Sequence, residues 1–270
     1  LKTSQSVSLA LPVDGRVSIQ VAQLLYQDLR IEKVQGQAVL QKGKLSFENL
    51  TADLAGGSAT LTGELDLAKP GIPLRGRLRV EGIDLTTLTD TIFPAAQGSV
   101  SGSLAADSDF SGNGGTGDIL TTLKAYGNFE LKDGEVNGSP LLAELSQFLT
   151  SPELQVLGFS TLQGKYGLIK RQGTIDAQLK SRRIILTPQG SFSLDGPLNI
   201  SLETRISPDL LAESGLAGSK GGLLKDENGW SLLPLRVKGE YDRPRLTLDS
   251  TAVKNQLEKG VSNELERQLQ

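Results

Sequence analysis

The side chains able to do covalent chemistry in this chain are few, and their types exclude most of it. The 270 residues include no histidine and no cysteine. That removes the commonest general base, the commonest metal ligand and the thiolate nucleophile together. The carboxylates are scattered, with no pair at a spacing that marks acid–base work on a bond. Gly112, Gly114 and Gly117 carry the spacing of a dinucleotide-binding turn, but only residues 118–123 separate them from the next expected strand. That is too short for the helix whose amino end would hold a pyrophosphate. Asp107, Asp109, Ser111, Gly112 and Asp118 resemble a calcium loop with Asp in place of the last Glu, yet no flanking helices are expected and the two aspartates fit the wet face of a strand. Ser219-Lys220 lies in a glycine loop without the residue order of a phosphate loop and reads as a linker. Arg75, Arg77 and Arg79 share one strand face; they could meet anionic headgroups, and neighbouring acids offer the plainer balance. The expectation is therefore no enzyme, no metal and no cofactor. Aromatic residues at 4%, a single tryptophan and a net charge of -3 argue against carbohydrate and nucleic acid as partners.

What the chain has in quantity is apolar surface laid out with period two. Over residues 124–149, Ala125, Gly127, Phe129 and Leu131 alternate with Lys124, Tyr126, Asn128, Glu130 and Lys132, the mark of a strand with one dry and one wet face. Asp133-Gly134 predicts a hairpin turn with a return through Glu135, Val136 and Asn137. Ser139-Pro140 then predicts a short helix carrying Leu141, Leu142, Leu145, Phe148 and Leu149. The same grammar recurs along the chain. Val7, Leu9 and Leu11 before Pro12 to Gly15, with Val17, Ile19 and Val21 after it, read as a hairpin. Short helices are expected after Gly82 and at Ser207-Pro208, with a helical turn at Ser151-Pro152, and residues 217–222 read as a loop.

The dry faces of the expected strands carry Leu61 and Leu65, Leu78 and Val80, Val100, Leu104 and Phe110, then Phe129 and Leu131, Leu162, Ile175 and Leu179. Phe192 and Leu194, Ile200 and Leu202, and Leu235 and Val237 complete the set. Gly63, Gly76, Gly102, Gly127, Gly164 and Gly239 sit on those same faces, where glycine marks a bend or a close approach of backbones. More than ten strands are expected, and an open sheet of that size curls, splits or closes. The short helices could cap an edge but could hardly roof it. The expected fold is mostly β: a large curved antiparallel sheet forming a groove over residues 1–250, with a subdivision point near 111–117 and short edge helices. A C-terminal helix is expected over 251–270, its Val253, Leu257, Val261, Leu265 and Leu269 recurring every fourth residue. An apolar trough of this kind would suit acyl chains, each methylene removed from water contributing about 0.8 kcal/mol.

Three segments carry a resemblance to a known family. They are LKAYGNFELKDGEVNGSPLLAEL within 98–149, GKYGLIKRQGTIDAQLKSRRIILTPQGSFSLDGPLNISLETRIS, and the closing LLPLRVKGEYDRPRLTLD. Together they resemble the carboxy-terminal region of the AsmA-like family over most of 98–249. The resemblance implies a β-groove of the kind used by bridge-like lipid-transfer proteins. It also implies a periplasmic location in a two-membrane bacterium, inner-membrane anchoring through an upstream segment, and a part in phospholipid transport and outer-membrane biogenesis. The chain contains no methionine and opens on no export signal, so any such anchor is expected upstream. The expected partner is a phospholipid or other acyl lipid held on the dry-face residues above. The alternative is a structural or chaperone-like module that assists outer-membrane protein assembly by strand addition at an open sheet edge.

Overall fold

The computed structural model describes residues 13–26, 28–92, 98–115, 117–214, 225–226 and 228–254. Strands dominate: β1 (Gly15–Tyr26), β2 (Leu29–Gln41), β3 (Lys44–Leu54), β4 (Gly57–Asp66), β5 (Pro73–Asp84), β6 (Val100–Asn113) and β7 (Lys124–Asn137). β8 (Val156–Ile169), β9 (Gln172–Lys180), β10 (Ile184–Ser193), β11 (Pro197–Ile206), β12 (Ser231–Glu240) and β13 (Arg243–Leu248) follow. The helices are short: α1 (Leu85–Ile92), α2 (Pro140–Leu149) and α3 (Pro208–Glu213), with 3-10 turns at Ile119–Thr121 and Pro152–Gln155. The strands form one antiparallel sheet in strict chain order that does not close, so β1 and β13 are its edges. The mostly-β, single-sheet reading is therefore correct. The hairpin half expected over residues 7–11 and the loop at 217–222 lie outside the described residues. Of the C-terminal helix only 250–254 is described, and it is helical.

Local chemistry explains the connections. Lys42 and Gly43 both take left-handed backbone angles, φ 50° and 74°, as a two-residue hairpin requires. Ser139-Pro140 opens α2 with Pro at the first helical position, although the Ser139 side chain makes no capping bond. Ser207 caps α3, accepting from the Leu210 amide at 3.4 Å. Asp84 does the same for α1, accepting from the Thr86 amide at 2.9 Å and the Thr87 hydroxyl at 3.0 Å. At Asp133-Gly134 the expectation fails, because β7 runs unbroken from Lys124 to Asn137. Only Asp133 is left-handed, with φ 50°. A type I′ hairpin turn needs two such residues in succession, so with one alone the strand runs on.

By contact density the chain divides into two units, Leu1–Gly134 with Gln163–Gly173, and Glu135–Leu162 with Thr174–Gln270. The point near 111–117 falls inside the first. In that unit β1 to β6 keep continuous register, interrupted by bulges between Glu32 and Gln35, Gln35 and Gln37, Phe47 and Leu50, and Val80 and Ile83. Gly82 supplies the left-handed residue of the last of these, φ 68°. Gly63 and Gly76 are register partners. A Cβ added to Gly76 would stand 2.5 Å from the Thr62 carbonyl oxygen, and one on Gly63 would stand 2.7 Å from that of Arg75. The two strands thus approach more closely on their dry side than side chains would permit, which creases the sheet there.

The second unit has a dense core. Leu202 pairs across the ladder with Leu235 and Ile200 with Val237, while Ile184 pairs with Ile206. Short helices close over this unit. α2 packs on β13 and on the 3-10 turn after it, burying Leu142, Leu145 and Leu149. Arg183 joins the pieces from the β9–β10 connection, reaching Glu153 at 3.6 Å, Asp209 at 3.1 Å and the Glu213 carboxylate.

Candidate functional site

The dry-face residues named from the sequence separate into two groups. In the first unit they assemble into transverse rows. One runs Leu40, Leu45, Leu65, Leu74, Gly112; the next runs Val17, Ala38, Phe47, Gly63, Gly76, Phe110. A third joins Leu50, Leu61, Leu78 and Ser108, and a fourth Ala52, Ala59, Val80 and Ala106. Leu104 faces Ile83 beyond the bulge. Antiparallel partners directly opposite one another project from the same face, so these rows are one surface. Leu61, Leu65, Val80, Val100, Leu104, Phe110 and Phe129 are half-buried on it, and Leu78 is 38% exposed. Leu131 is buried. At the α1 end the surface is closed, Ile83 being 1% exposed, where α1 contacts β6, β5 and β2.

Glycine gives this surface its relief. Phe47 and Phe110 flank the Gly63–Gly76 pair in one row, and the Phe110 ring reaches within 2.8 Å of where a Gly76 Cβ would lie. The Tyr166 ring stands 3.1 Å from the corresponding point of Gly127, tilted 50° to Phe129 with centroids 6.4 Å apart. Aromatic edges lie over bare backbone, which leaves shallow steps between the rings. Ser108 and Tyr166 are the polar exceptions on this face. Both share the parity of the apolar residues around them, so the alternation alone could have located them.

In the second unit the named residues form a core instead. Leu202, Leu235 and Val237 are 2%, 1% and 0% exposed, and Leu179 is buried with them. They are covered by this chain's own atoms and present no surface to a ligand. Leu162, Ile175, Phe192 and Ile200 are half-buried, and Leu194 is exposed in the turn between β10 and β11. The core also holds two hydroxyls without a hydrogen-bond partner, Thr204 Oγ1 and Ser231 Oγ.

The wet face of the first unit settles the fate of its charges. Arg75 Nε lies 2.8 Å from Glu64. Arg77 Nε and Nη2 donate to the two oxygens of Asp107 at 2.6 and 2.9 Å, and Arg79 Nη2 donates to Oδ2 at 2.8 Å. Hydrogen bonds from Arg77, then from Arg79, lower the Asp107 carboxyl to about 2. The three arginines are thus matched by acids across the strands, and both oxygens of Asp107 accept from arginine. Among the described residues no group of three or more carboxylates is placed to hold a metal ion. The glycines at 112, 114 and 117 are followed by the three-residue turn Ile119–Thr121, which is shorter than the helix a dinucleotide-binding turn leads into. Three hollows of the first unit, about 850, 500 and 470 Å³, are lined mainly by charged, polar and glycine residues; the second meets the apolar rows at Gly63, Gly76 and Phe110 and the third at Leu74 and Gly112. What remains as a candidate is therefore a surface: the half-open apolar rows of β3 to β7. Comparison with protein-family models, with curated proteins and with solved structures found no match for this chain.

Proposed function

We propose that this chain is a non-enzymatic lipid-conduit segment that shelters phospholipid acyl chains on the apolar rows of its first unit while headgroups stay in water. The carrying observation is that Leu61, Leu65, Leu78, Val80, Leu104 and Phe110 keep one face in register across three strands, β4 to β6, and remain only half covered. A half-covered aliphatic row gains about 0.8 kcal/mol for each methylene laid against it and withdrawn from water. The steps at Gly63, Gly76 and Gly127 suit a flexible chain better than a rigid ring system. The likeness of 98–249 to the AsmA-like family points the same way, and with it to the periplasm of a two-membrane bacterium, an upstream inner-membrane anchor and a role in moving phospholipid toward the outer membrane. Within that reading the second unit, whose face is filled, serves as scaffold.

The test uses delipidated protein offered fluorescent phospholipid dispersed in detergent. Uptake is expected for the native chain and is expected to be lost in Leu104→Asp, Phe129→Asp and Leu78→Asp. Uptake that survives all three with the fold intact sinks the reading. A second reading has its own observation. β1 is an edge strand of 12 residues, exposed along almost its whole length, with Arg16 as its one charge. Such an edge is a template for strand addition, so a chaperone-like module would bind extended peptides here, and its binding would be indifferent to Leu78→Asp.

A further inference from the structure

The first unit carries its charge unevenly from end to end. Because β1 to β6 alternate in direction, the β2–β3, β4–β5 and β6–β7 connections emerge at one end, while the β1–β2, β3–β4 and β5–α1 connections emerge at the other. The Lys170 amide donates to the Leu123 carbonyl at 2.6 Å, which brings the β8–β9 turn to the first of these ends as well. Lys42, Lys44, Lys124 and Lys170 are exposed there, and none has an ion-pair partner among the described residues. Lys44 and Lys124 line the same hollow of about 470 Å³, so they converge rather than scatter. The carboxylates of this end are engaged: Asp66 with Lys69 at 3.3 Å, Asp118 with Arg171 at 3.2 Å, and Asp14 with the Lys42 amide at 2.7 Å. The opposite end is acidic. Glu32 and Asp53 of its hollow are paired with Arg30 at 3.8 Å and Lys33 at 2.7 Å. Asp28 and Glu81 line the same hollow with no ion-pair partner among the described residues, and Asp84 and Asp90 follow before and in α1.

We infer that the lysine end of the first unit is a docking surface for an anionic phospholipid bilayer. Charge complementarity makes the choice of end. Exposed apolar side chains occur at both, Ile119 and Ile169 beside the lysines and Leu25 and Tyr26 at the acid end, so apolar area alone does not discriminate. An anionic surface attracts the four free ammonium groups and repels the carboxylates at the far end, which orients the strands away from the membrane plane. Ile119 and Ile169 then meet the interface beside Lys170 and Arg171, where branched aliphatic groups flanked by cations are favoured. The inference stands on these charges and does not require that acyl chains bind the apolar rows.

Flotation with vesicles tests it, using phosphatidylcholine alone and phosphatidylcholine mixed with phosphatidylglycerol. The native chain is expected to float only with the mixed vesicles and to be released by raised salt. Each of Lys42→Gln, Lys44→Gln, Lys124→Gln and Lys170→Gln is expected to lower partitioning about fivefold, at an unchanged thermal midpoint since all four side chains are exposed. Asp28→Asn with Glu81→Gln is expected to leave partitioning the same or slightly raised. Equal flotation with neutral vesicles, or no loss in the combined lysine variant, overturns the inference. So does retention on heparin or duplex DNA that matches the mixed vesicles at the same ionic strength. Leu78→Asp should still float, and the lysine variants should still take up detergent-dispersed lipid, so docking and uptake can fail separately.

Discussion

Two regions built from the same strand grammar treat their apolar faces in opposite ways. In the second unit the facing positions are filled by large side chains, Ile184, Leu186, Leu202, Ile206, Leu233, Leu235 and Val237, all buried. In the first unit the equivalent rows are diluted by Gly63, Gly76, Ala52, Ala59, Ala106, Ser108 and Gly112. Close packing leaves no void when bulky residues interlock, whereas small residues leave relief that only something else can fill. In the second unit α2 packs on β13 and α3 buries Leu210; in the first, β3 and β4 are joined by a tight turn that provides no cover. The contrast teaches that alternation decides which face is dry, while side-chain size and the connections decide whether that face becomes a core or a surface.

The sharpest way to break the comparison is to truncate one leucine in each unit. Leu235→Ala is expected to destabilise by about 2–5 kcal/mol, because it opens a cavity in a filled core. Leu78→Ala, at 38% exposure, is expected to cost under about 1 kcal/mol. Denaturant midpoints measure both, and equal costs would mean the first unit's face is as well packed as the second's. The crease is the next largest effect. Gly76→Ala meets the Thr62 carbonyl oxygen and Gly190→Ala meets that of Asn199, which lies 2.3 Å from the added carbon. Each is expected to cost about 1–3 kcal/mol, while Gly15→Ala, with nothing within 4 Å, stays neutral. Similar losses in both units would show that creasing is common to them and that filling is what differs.

Much of this was legible in the residues. Strand positions, the dry-face parity and the three short helices follow from alternation and from Ser-Pro and Gly signals, and the glycines at 63, 76 and 127 do mark close backbone approaches. Asp133-Gly134 misled because the dipeptide permits a tight turn without imposing one, and here the strand continues through it. The burial of Leu202, Leu235 and Val237 was not readable, since it depends on what lies above the sheet and a strand's own alternation does not report that. Nor was the charge asymmetry, because lysines at 42, 44, 124 and 170 meet only once antiparallel order brings their turns to one end.

A smaller effect distinguishes the hydroxyls of the two faces. Thr204 Oγ1 is buried without a partner in the second unit's core, so Thr204→Val removes an unmet desolvation cost and is expected to stabilise by about 1 kcal/mol. Ser108, half-buried on the first unit's face, keeps access to water, and Ser108→Ala is expected to change the thermal midpoint little. A loss of stability in Thr204→Val would show that an ordered water satisfies the hydroxyl.

The smallest effect is electrostatic and confined to one unit. The Asp107 carboxyl is lowered from 3.8 to about 2 by its bonds from Arg77 and Arg79. A depressed carboxylate stabilises the fold above its unfolded value and loses that contribution as pH falls through the folded one, so this term is present above pH 4 and fades between about 4 and 2. Asp107→Asn deletes it. The variant is expected to be less stable than the native chain at neutral pH, with the difference shrinking toward pH 2. Where the loss is felt depends on the division between the units. Trp230, the only tryptophan, belongs to the second unit with Tyr241, while Tyr26, Tyr126 and Tyr166 belong to the first, so the test uses a Tyr241→Phe background in which tyrosine reports on the first unit alone. If the units unfold separately, Asp107→Asn shifts the tyrosine-detected transition and leaves the tryptophan-detected one in place. A common shift in both signals would mean that the open face and the filled core melt as one cooperative body.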